Sequence, residues 1–227
     1  MKLVFTCEHG GNTIPEKHQE LFVNANDALN SHRGIDYGSL DLFNFCESLS
    51  DFAISNTVSR LLIELNRSKH HSKLFSEFTS ILSSKDKSEV IREFYDPYRY
   101  KVQEEILEQI KKGEEVVHIS FHSFTPSLNG EIRNTDVGIL YDPSRKSEKL
   151  ISKQLKQDLI TELPDFKIRY NYPYLGTADG FTTYLRKKFP EKYTGIELEI
   201  NQKFTEGKNI FPLKLKSAIF NALSKLK

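Results

Sequence analysis

Short apolar runs alternate along this chain with longer stretches in which apolar residues recur at helical spacing. Runs rich in Val, Ile, Leu, Phe or Tyr are typical of buried strands. They predict strands at Lys2–Cys7, Phe52–Ser55, Leu61–Leu65, Glu115–Phe121, Asp136–Tyr141, Phe166–Tyr170 and Gly195–Ile200. Alternation of this kind favours an α/β fold in which helices flank a mostly parallel mixed sheet in three layers.

The stretches between these runs predict helices at Tyr37–Leu49, Lys87–Lys112, Glu148–Leu159, Gly180–Lys188 and Lys214–Leu226. Apolar residues recur every four positions through Lys87–Lys112, a stripe suited to packing on a sheet, and Pro97 is expected to kink or divide that helix. Polar residues 68–88 predict a lid or a long surface loop. We see no repeat or low-complexity linker, and therefore predict a single domain over residues 1–227.

Composition and charge narrow the classes of function. The 227 residues are 38% hydrophobic and carry a net charge of +1, which argues against a protein that coats a polyanion. No apolar stretch approaches the roughly 20 residues of a membrane helix. A strand predicted from the second residue leaves no room for a signal peptide, so we expect a cytoplasmic protein. Its cysteines, Cys7 and Cys46, should then be reduced, and the lack of a C-x-x-C pair excludes a thiolate zinc finger.

Polar side chains follow several predicted strands, and in an open α/β sheet ligands bind beyond the carboxyl ends of the strands. His9 follows the first strand, and His122 lies where a later strand begins to break. Two histidines and a carboxylate form the ligand set of a catalytic zinc site. Asp36 is a candidate carboxylate, although an Asp before a helix is equally typical of an N-cap. His32 is a competing ligand in the same loop.

Further candidates lie on other strands and loops. Glu197 and Glu199 alternate with apolar residues, a pattern that a solvated strand face also explains, and Glu199 is nearer the carboxyl end of its strand, where a general base would lie. The cations Arg60, Arg67 and Arg133 suggest an anionic substrate, although single arginines more often form surface salt bridges. Cys7 lies within a predicted strand and is more typical of a buried, inert thiol than of a nucleophile.

Motifs from almost the entire chain occur in a specific order and spacing. They are Glu8-His9-Gly10-Gly11-Asn12-x-Ile14-Pro15, Asp36 with its following helix, Ser59-Arg60 through Asn66-Arg67, His122-Ser123, Asp136-Val137-Gly138, Asn171-Tyr172-Pro173-Tyr174-x-Gly176, Asp179–Thr183 and Glu197–Gln202. On these motifs the chain resembles the N-formylglutamate amidohydrolase family. The resemblance implies a zinc-dependent hydrolase of the phosphorylase/hydrolase type, distantly related to zinc carboxypeptidases and aspartoacylase.

Carried over by position, the resemblance implies that zinc binds to His9, Asp36 and His122 and that Glu199 activates water. The segment Glu64–Arg67 is similar to a stretch in the distant relatives whose Asn and Arg hold a substrate carboxylate, which assigns that role to Asn66 and Arg67. Some family members have proline in place of Glu8, so Glu8 is not expected to be an essential ligand.

The function expected from this resemblance is hydrolysis of a small anionic N-acyl amino acid. The leading candidate is N-formyl-L-glutamate, which is cleaved in histidine degradation. Arg60 would stabilise the developing oxyanion and Arg133 would meet the side-chain carboxylate. A zinc carboxypeptidase or a cell-wall amidase that acts on peptides is the alternative enzyme. The non-enzyme alternative is a metal- or anion-binding module without catalysis, but such a module would not need Glu199.

Overall fold

The computed structural model describes residues 1–205 and 207–227. Its strands are β1 (Lys2–Cys7), β2 (Phe52–Ser55), β3 (Val116–Phe124), β4 (Ser127–Leu128), β5 (Glu131–Ile132), β6 (Val137–Leu140), β7 (Ile168–Tyr170) and β8 (Tyr193–Asn201). Its helices are α1 (Asn26–Leu29), α2 (Ser39–Cys46), α3 (Ser84–Val90), α4 (Asp96–Lys111), α5 (Lys146–Glu162), α6 (Phe181–Lys188) and α7 (Leu213–Ser224).

Within the described residues, six strands form the central sheet in the order β2-β1-β3-β8-β6-β7. The neighbours from β2 to β8 are parallel, as are β6 and β7, whereas β6 runs antiparallel to β8. The predicted mostly parallel mixed sheet is confirmed. Its last strand in the chain, β8, lies at its centre.

Two apolar layers cover the sheet because successive side chains of a strand point to opposite faces. Leu3 and Phe5 of β1 pack in one layer with α2, α5 and α7. Val4 packs in the other layer with α4, α6 and the buried segment Leu61–Leu65. The result is a three-layer arrangement of helices, sheet and helices, as the alternating pattern predicts.

The prediction of a strand at Leu61–Leu65 is wrong. This segment consists of turns: the amide of Leu62 donates to the Ser59 carbonyl at 2.9 Å, and the amide of Glu64 donates to the Leu74 carbonyl at 2.9 Å. Its apolar side chains are buried because they pack under α4 and α6, outside the sheet. A short apolar run indicates that a segment is buried, but it does not distinguish a strand from another buried segment.

Segment 68–88 does not stay irregular to its end, because Ser83 caps α3 by accepting a hydrogen bond from the Asp86 amide at 3.2 Å. Buried Leu74 and Thr79 anchor the preceding loop. A π-helical turn, Ile91–Tyr95, joins α3 to α4. Pro97 occupies the first turn of α4, so the helix predicted at Lys87–Lys112 is divided into α3, the π-helical turn and α4 directly before this proline. Among the described residues, no helix has the length and apolar character needed to cross a bilayer.

Candidate metal centre and active site

Three buried side chains from distant parts of the chain meet at the carboxyl ends of β1 and β3. The ligand atoms of His9, Asp36 and His122 all lie within 4.8 Å of one another. The Nδ1 atoms of both histidines face the same carboxylate oxygen, Asp36 Oδ2, at 3.2 Å for His9 and 2.9 Å for His122. The residues expected to bind zinc are therefore brought together.

Backbone contacts place Asp36 in this cluster. Its amide donates to the His9 carbonyl at 3.0 Å, and its carbonyl accepts from the Ser39 amide at 3.1 Å. Gly38, in the left-handed region with φ of 81°, precedes α2, and no side chain caps that helix. The alternative interpretation of Asp36 as an N-cap is therefore wrong, because its carboxylate points to the histidines.

A buried carboxylate holds the outer nitrogen of each histidine. Glu64 Oε1 lies 2.5 Å from His9 Nε2, and Glu8 Oε2 lies 3.3 Å from His122 Nε2. Ser120 Oγ lies 2.9 Å from the same His122 nitrogen and donates to Glu8 Oε2 at 2.6 Å. Such partners fix the tautomer and the orientation of a metal-binding imidazole. Both rings thus present Nδ1 to the centre of the cluster.

The charges of the cluster fit a divalent cation. Arg60 pairs with Asp36 Oδ1 at 3.1 Å and with Glu64 Oε2 at 2.5 Å. With neutral imidazoles, the carboxylates of Glu8, Asp36 and Glu64 carry three negative charges, and the Arg60 guanidinium, paired with Asp36 and Glu64, balances one of them. Burial lowers the pKa of His122, but the hydrogen bond with Asp36 and the charge of Glu8 outweigh it and raise that pKa to about 10.

The donor set also fits zinc, which takes imidazole nitrogen and carboxylate oxygen in tetrahedral sites. Two ligand atoms that each lie about 2.0–2.2 Å from a tetrahedral ion are about 3.4 Å apart. The distances of 3.2 Å and 2.9 Å from Asp36 Oδ2 to the two Nδ1 atoms are close to that separation. The residues present therefore suit a zinc ion held by His9, Asp36 and His122.

Glu199 faces this cluster from the neighbouring strand. The register of β3 and β8 sets Glu199 directly opposite His122. Its side chain is buried, and its Oε2 atom has no hydrogen-bond partner among the described residues. Burial raises the pKa of Glu199 to about 8. Glu197, on the same strand, instead accepts a hydrogen bond from Thr182.

A cavity of about 270 Å³ opens beside the cluster. Its lining includes seven of the eight side chains expected to bind the metal, catalyse the reaction or bind the substrate: His9, Asp36, Arg60, Asn66, Arg67, His122 and Glu199. Asn66 Nδ2 lies 3.4 Å from His122 Nε2, and the guanidinium of Arg67 donates to the Asp179 carbonyl. Arg133 is the remaining side chain: it donates to the Tyr174 hydroxyl at 3.1 Å, and it is Tyr174 that lines the cavity.

Three other polar side chains, those of His32, His118 and Cys7, lie outside the metal cluster. His32 lines the cavity but lies outside the metal cluster. His118, another histidine of β3, is fully buried and lies 2.8 Å from Thr6 Oγ1 and 2.7 Å from the Tyr193 hydroxyl, so it is a packed core histidine. Burial raises the pKa of the Cys7 thiol, which therefore stays protonated.

Sequence reasoning missed Glu64 as a site residue. It stands in the segment Glu64–Arg67, from which only Asn66 and Arg67 were singled out. The available signal was an acid inside an apolar run, since a buried charge requires a partner. The structure supplies two partners, His9 and Arg60.

Comparison with known proteins assigns the family. The family model described as N-formylglutamate amidohydrolase matches residues 1–205. The chain belongs to this family. It is therefore a hydrolase that acts on an amide. No curated protein sequence matches the chain.

Two solved structures share its fold. A gene product of Agrobacterium tumefaciens is 24% identical, with a TM-score of 0.77 over 99% of this chain and 88% of that chain. An N-formylglutamate amidohydrolase from Ralstonia eutropha is 14% identical, with a TM-score of 0.73 over 100% of this chain and 92% of that chain. At these identities the two structures establish a shared fold.

Proposed function

We propose that this amidohydrolase is a cytoplasmic, zinc-dependent enzyme that cleaves N-formyl-L-glutamate to formate and L-glutamate, a reaction of histidine degradation. The observation that carries the proposal is the convergence of His9, Asp36 and His122 opposite a buried, unpartnered Glu199. A bound zinc ion would supply Lewis-acid polarisation and a lowered pKa for water.

Glu199 moves the proton in this proposal. A carboxylate is most effective as a general base when its pKa lies near the working pH, and burial raises the pKa of Glu199 to about 8. It takes the proton of the attacking water at Oε2 and delivers it to the amide nitrogen as the carbon–nitrogen bond breaks. The formyl carbon keeps the hydroxyl of the water, and the proton of the resulting formic acid passes to the amine. The products are therefore formate and the ammonium form of glutamate, so atoms and protons balance.

Cationic and amide side chains position the substrate. Arg60 makes three N–H hydrogen bonds to Asp36 and Glu64, and since a guanidinium has five N–H groups, two are left to stabilise the developing oxyanion. Asn66 and Arg67 hold one substrate carboxylate at the rim of the cavity. Arg133 would meet the second carboxylate, and its hydrogen bond to Tyr174, which lines the cavity, supports this role.

The size of the cavity supports a small substrate rather than a peptide. Its volume of about 270 Å³ lies just below the range of about 300–1,000 Å³ that is typical of pockets for drug-sized ligands. N-formyl-L-glutamate is smaller than such ligands, whereas a peptide would extend beyond the cavity. Arg60 and Arg67 supply positive charge on the wall of the cavity for an anionic substrate.

The test combines metal analysis with a substrate panel. Purified protein should contain about one zinc per chain, lose activity on treatment with a chelator and regain it with zinc. Formate release should be fastest from N-formyl-L-glutamate, compared with N-formyl-L-glutamine, N-acetyl-L-glutamate and a glutamyl dipeptide. Full activity of the metal-free protein would refute the zinc requirement, and preference for the dipeptide would refute the substrate.

A further inference from the structure

Arg99, on α4, is a buried cation that the proposed chemistry does not use. It is 3% exposed, and among residues 1–205 and 207–227 it has no carboxylate partner within 4.0 Å. Its guanidinium instead stacks on three aromatic rings, at 4.2 Å from the centroid of Phe181, 4.6 Å from that of Tyr184 and 4.9 Å from that of Tyr95. A buried charge without an acidic partner requires an explanation.

The guanidinium of Arg99 is directed at the backbone on either side of Asn66. Its Nη1 atom donates to the Leu65 carbonyl at 2.9 Å and to the Arg67 carbonyl at 3.2 Å. The Tyr95 hydroxyl donates to the same Arg67 carbonyl at 2.7 Å. Hydrogen bonds with a charged donor are roughly twice as strong as neutral ones. Hydrogen bonds from Arg99 and Tyr95 thus hold the carbonyls of Leu65 and Arg67, which flank the Asn66–Arg67 pair.

This support takes the place of strand pairing, which the segment lacks. Because Leu61–Leu65 is not a strand, no sheet neighbour fixes the backbone that leads to Asn66. The π-helical turn Ile91–Tyr95 directly precedes α4, and such turns are frequent at functional sites. It leaves Tyr95 and Arg99 one helical turn apart, so both face the same carbonyl.

Phe181, whose ring stacks on Arg99, also binds the Asn66 side chain through its backbone. The Phe181 amide donates to Asn66 Oδ1 at 2.7 Å, while the Phe181 ring lies against Arg99. Asp179 completes the support, since its carboxylate accepts from the Ser68 amide at 3.0 Å and its carbonyl accepts from Arg67. Asn66 and Arg67 are therefore fixed between α4 and the start of α6.

We propose that Arg99, with Tyr95, is a positioning residue for carboxylate recognition: it fixes the backbone of Asn66 and Arg67 so that both side chains meet the substrate carboxylate. This inference rests on the proposed function for the identity of the substrate. It predicts that loosening the two carbonyls weakens binding of the carboxylate more than it slows the chemical step.

The test compares two tyrosines whose rings both stack on Arg99. Tyr95→Phe removes only the hydroxyl that bonds to the Arg67 carbonyl. Tyr184→Phe, the matched control, removes a hydroxyl that bonds to Gln103 Oε1 at 3.0 Å, away from the segment. With N-formyl-L-glutamate, Tyr95→Phe should raise KM about three- to tenfold with little change in kcat, and Tyr184→Phe should change neither. Arg99→Gln should raise KM more than Tyr95→Phe does.

Two mono-amidated analogues of the substrate and the variant Arg67→Ala complete the design. Amidation of the carboxylate that Arg67 holds should remove the effect of both Arg67→Ala and Tyr95→Phe. If Arg67→Ala does not discriminate between acid and amide, the proposed carboxylate recognition is wrong. If Arg67→Ala discriminates and Tyr95→Phe does not, only the role of Tyr95 and Arg99 is wrong.

Amide hydrogen exchange gives a second readout without substrate. Residues 65–68 should exchange faster in Tyr95→Phe and Arg99→Gln than in wild type and Tyr184→Phe, at temperatures well below each melting point. Wild-type protein that releases no formate would refute the proposed function, yet this readout would still decide whether Arg99 fixes the segment. Unchanged exchange in both variants would overturn the inference.

Discussion

Glu199 is the residue whose replacement separates metal binding from catalysis. Glu199→Gln keeps the size of the side chain but cannot accept a proton, so kcat should fall by about 10²–10⁴-fold. Zinc content, measured by elemental analysis, should stay unchanged, because the proposed ligands are His9, Asp36 and His122.

Glu197→Gln is the control for Glu199→Gln. It removes a carboxylate from the same strand, and its amide oxygen can still accept from Thr182. We expect kcat within about tenfold of wild type for a side chain outside the proton path. Equal losses of kcat in the two variants would show that the strand needs negative charge rather than a base at Glu199.

His118 makes a prediction about stability in acid. Burial lowers the pKa of His118 from 6.5 to about 4, so between these pH values the unfolded chain binds a proton that the folded chain does not. The titration of His118 therefore leaves the free energy of unfolding unchanged above pH 6.5. As the pH falls from 6.5 to 4, it lowers that free energy by roughly 3 kcal/mol in total, at about 1.4 kcal/mol per pKa unit.

The measurement is the free energy of unfolding of wild type and His118→Gln from denaturant titrations between pH 4 and 7. The variant should lose less stability on acidification than wild type. His70→Gln, a change at an exposed histidine, should follow the wild-type curve. Parallel curves for wild type and His118→Gln would contradict the prediction.

At the scale of residues, the sequence predicts much of the candidate site because strand ends meet at one edge of a parallel sheet. This reasoning selects His9, His122 and Glu199, and the structure brings them together. It cannot decide between the two interpretations of Asp36, since both place an acid before a helix. Reasoning from strand ends does not select Glu64, because the role of Glu64 depends on its contacts with His9 and Arg60.

At the scale of elements, Gly138 shows how closely the edge of the site is packed. It pairs with Glu199 across β6 and β8. A Cβ atom at this position would lie 2.1 Å from the Tyr172 carbonyl oxygen and 3.1 Å from Glu199 Cβ. Gly138→Ala should therefore lower stability by about 1–3 kcal/mol and also displace Glu199, which lowers kcat per folded molecule.

The control for Gly138→Ala is Gly113→Ala. Gly113 has φ of 89° and no neighbouring atom within 4 Å of an added Cβ, so alanine should lower stability by about 1 kcal/mol through backbone strain alone. Melting curves and kcat of both variants provide the measurement. Normal kcat in folded Gly138→Ala would show that Glu199 tolerates the shift.

Element boundaries show where sequence patterns are sufficient. Lys2–Cys7 and Phe52–Ser55 are strands as predicted, and β3 and β8 extend beyond their predicted ends. Periodicity describes which side chains are buried, whereas pairing of backbones decides what is a strand. The side chains of Leu61–Leu65 are buried, but its backbone pairs with no strand of the sheet. Its conformation therefore could not be predicted from its own residues.

At the scale of the whole molecule, metal binding should be coupled to stability, because the proposed ligands come from three distant parts of the chain. Zinc that binds only the folded protein adds about 2.7 kcal/mol at 100 times its Kd. For a chain of this size that corresponds to a rise in Tm of about 5–11 °C.

Calorimetry of metal-free protein with and without zinc measures this rise. His9→Ala should abolish most of it because one proposed ligand is lost, whereas His71→Gln, at a histidine outside the cluster, should retain it. A wild-type Tm that does not respond to zinc, or an equal rise in His9→Ala, would contradict the prediction.

The position of β8 has a consequence for the order of events during synthesis. It is the last strand of the sheet to leave the ribosome, yet it lies between β3 and β6. Until residue 201 emerges, the nascent chain can form only two separate half-sheets, β2-β1-β3 and β6-β7. A metal ion captured by His9, Asp36 and His122 at that stage would have no Glu199 beside it. In the proposed mechanism, catalytic competence therefore arises late, when β8 pairs with β3 and β6, which were both translated before it.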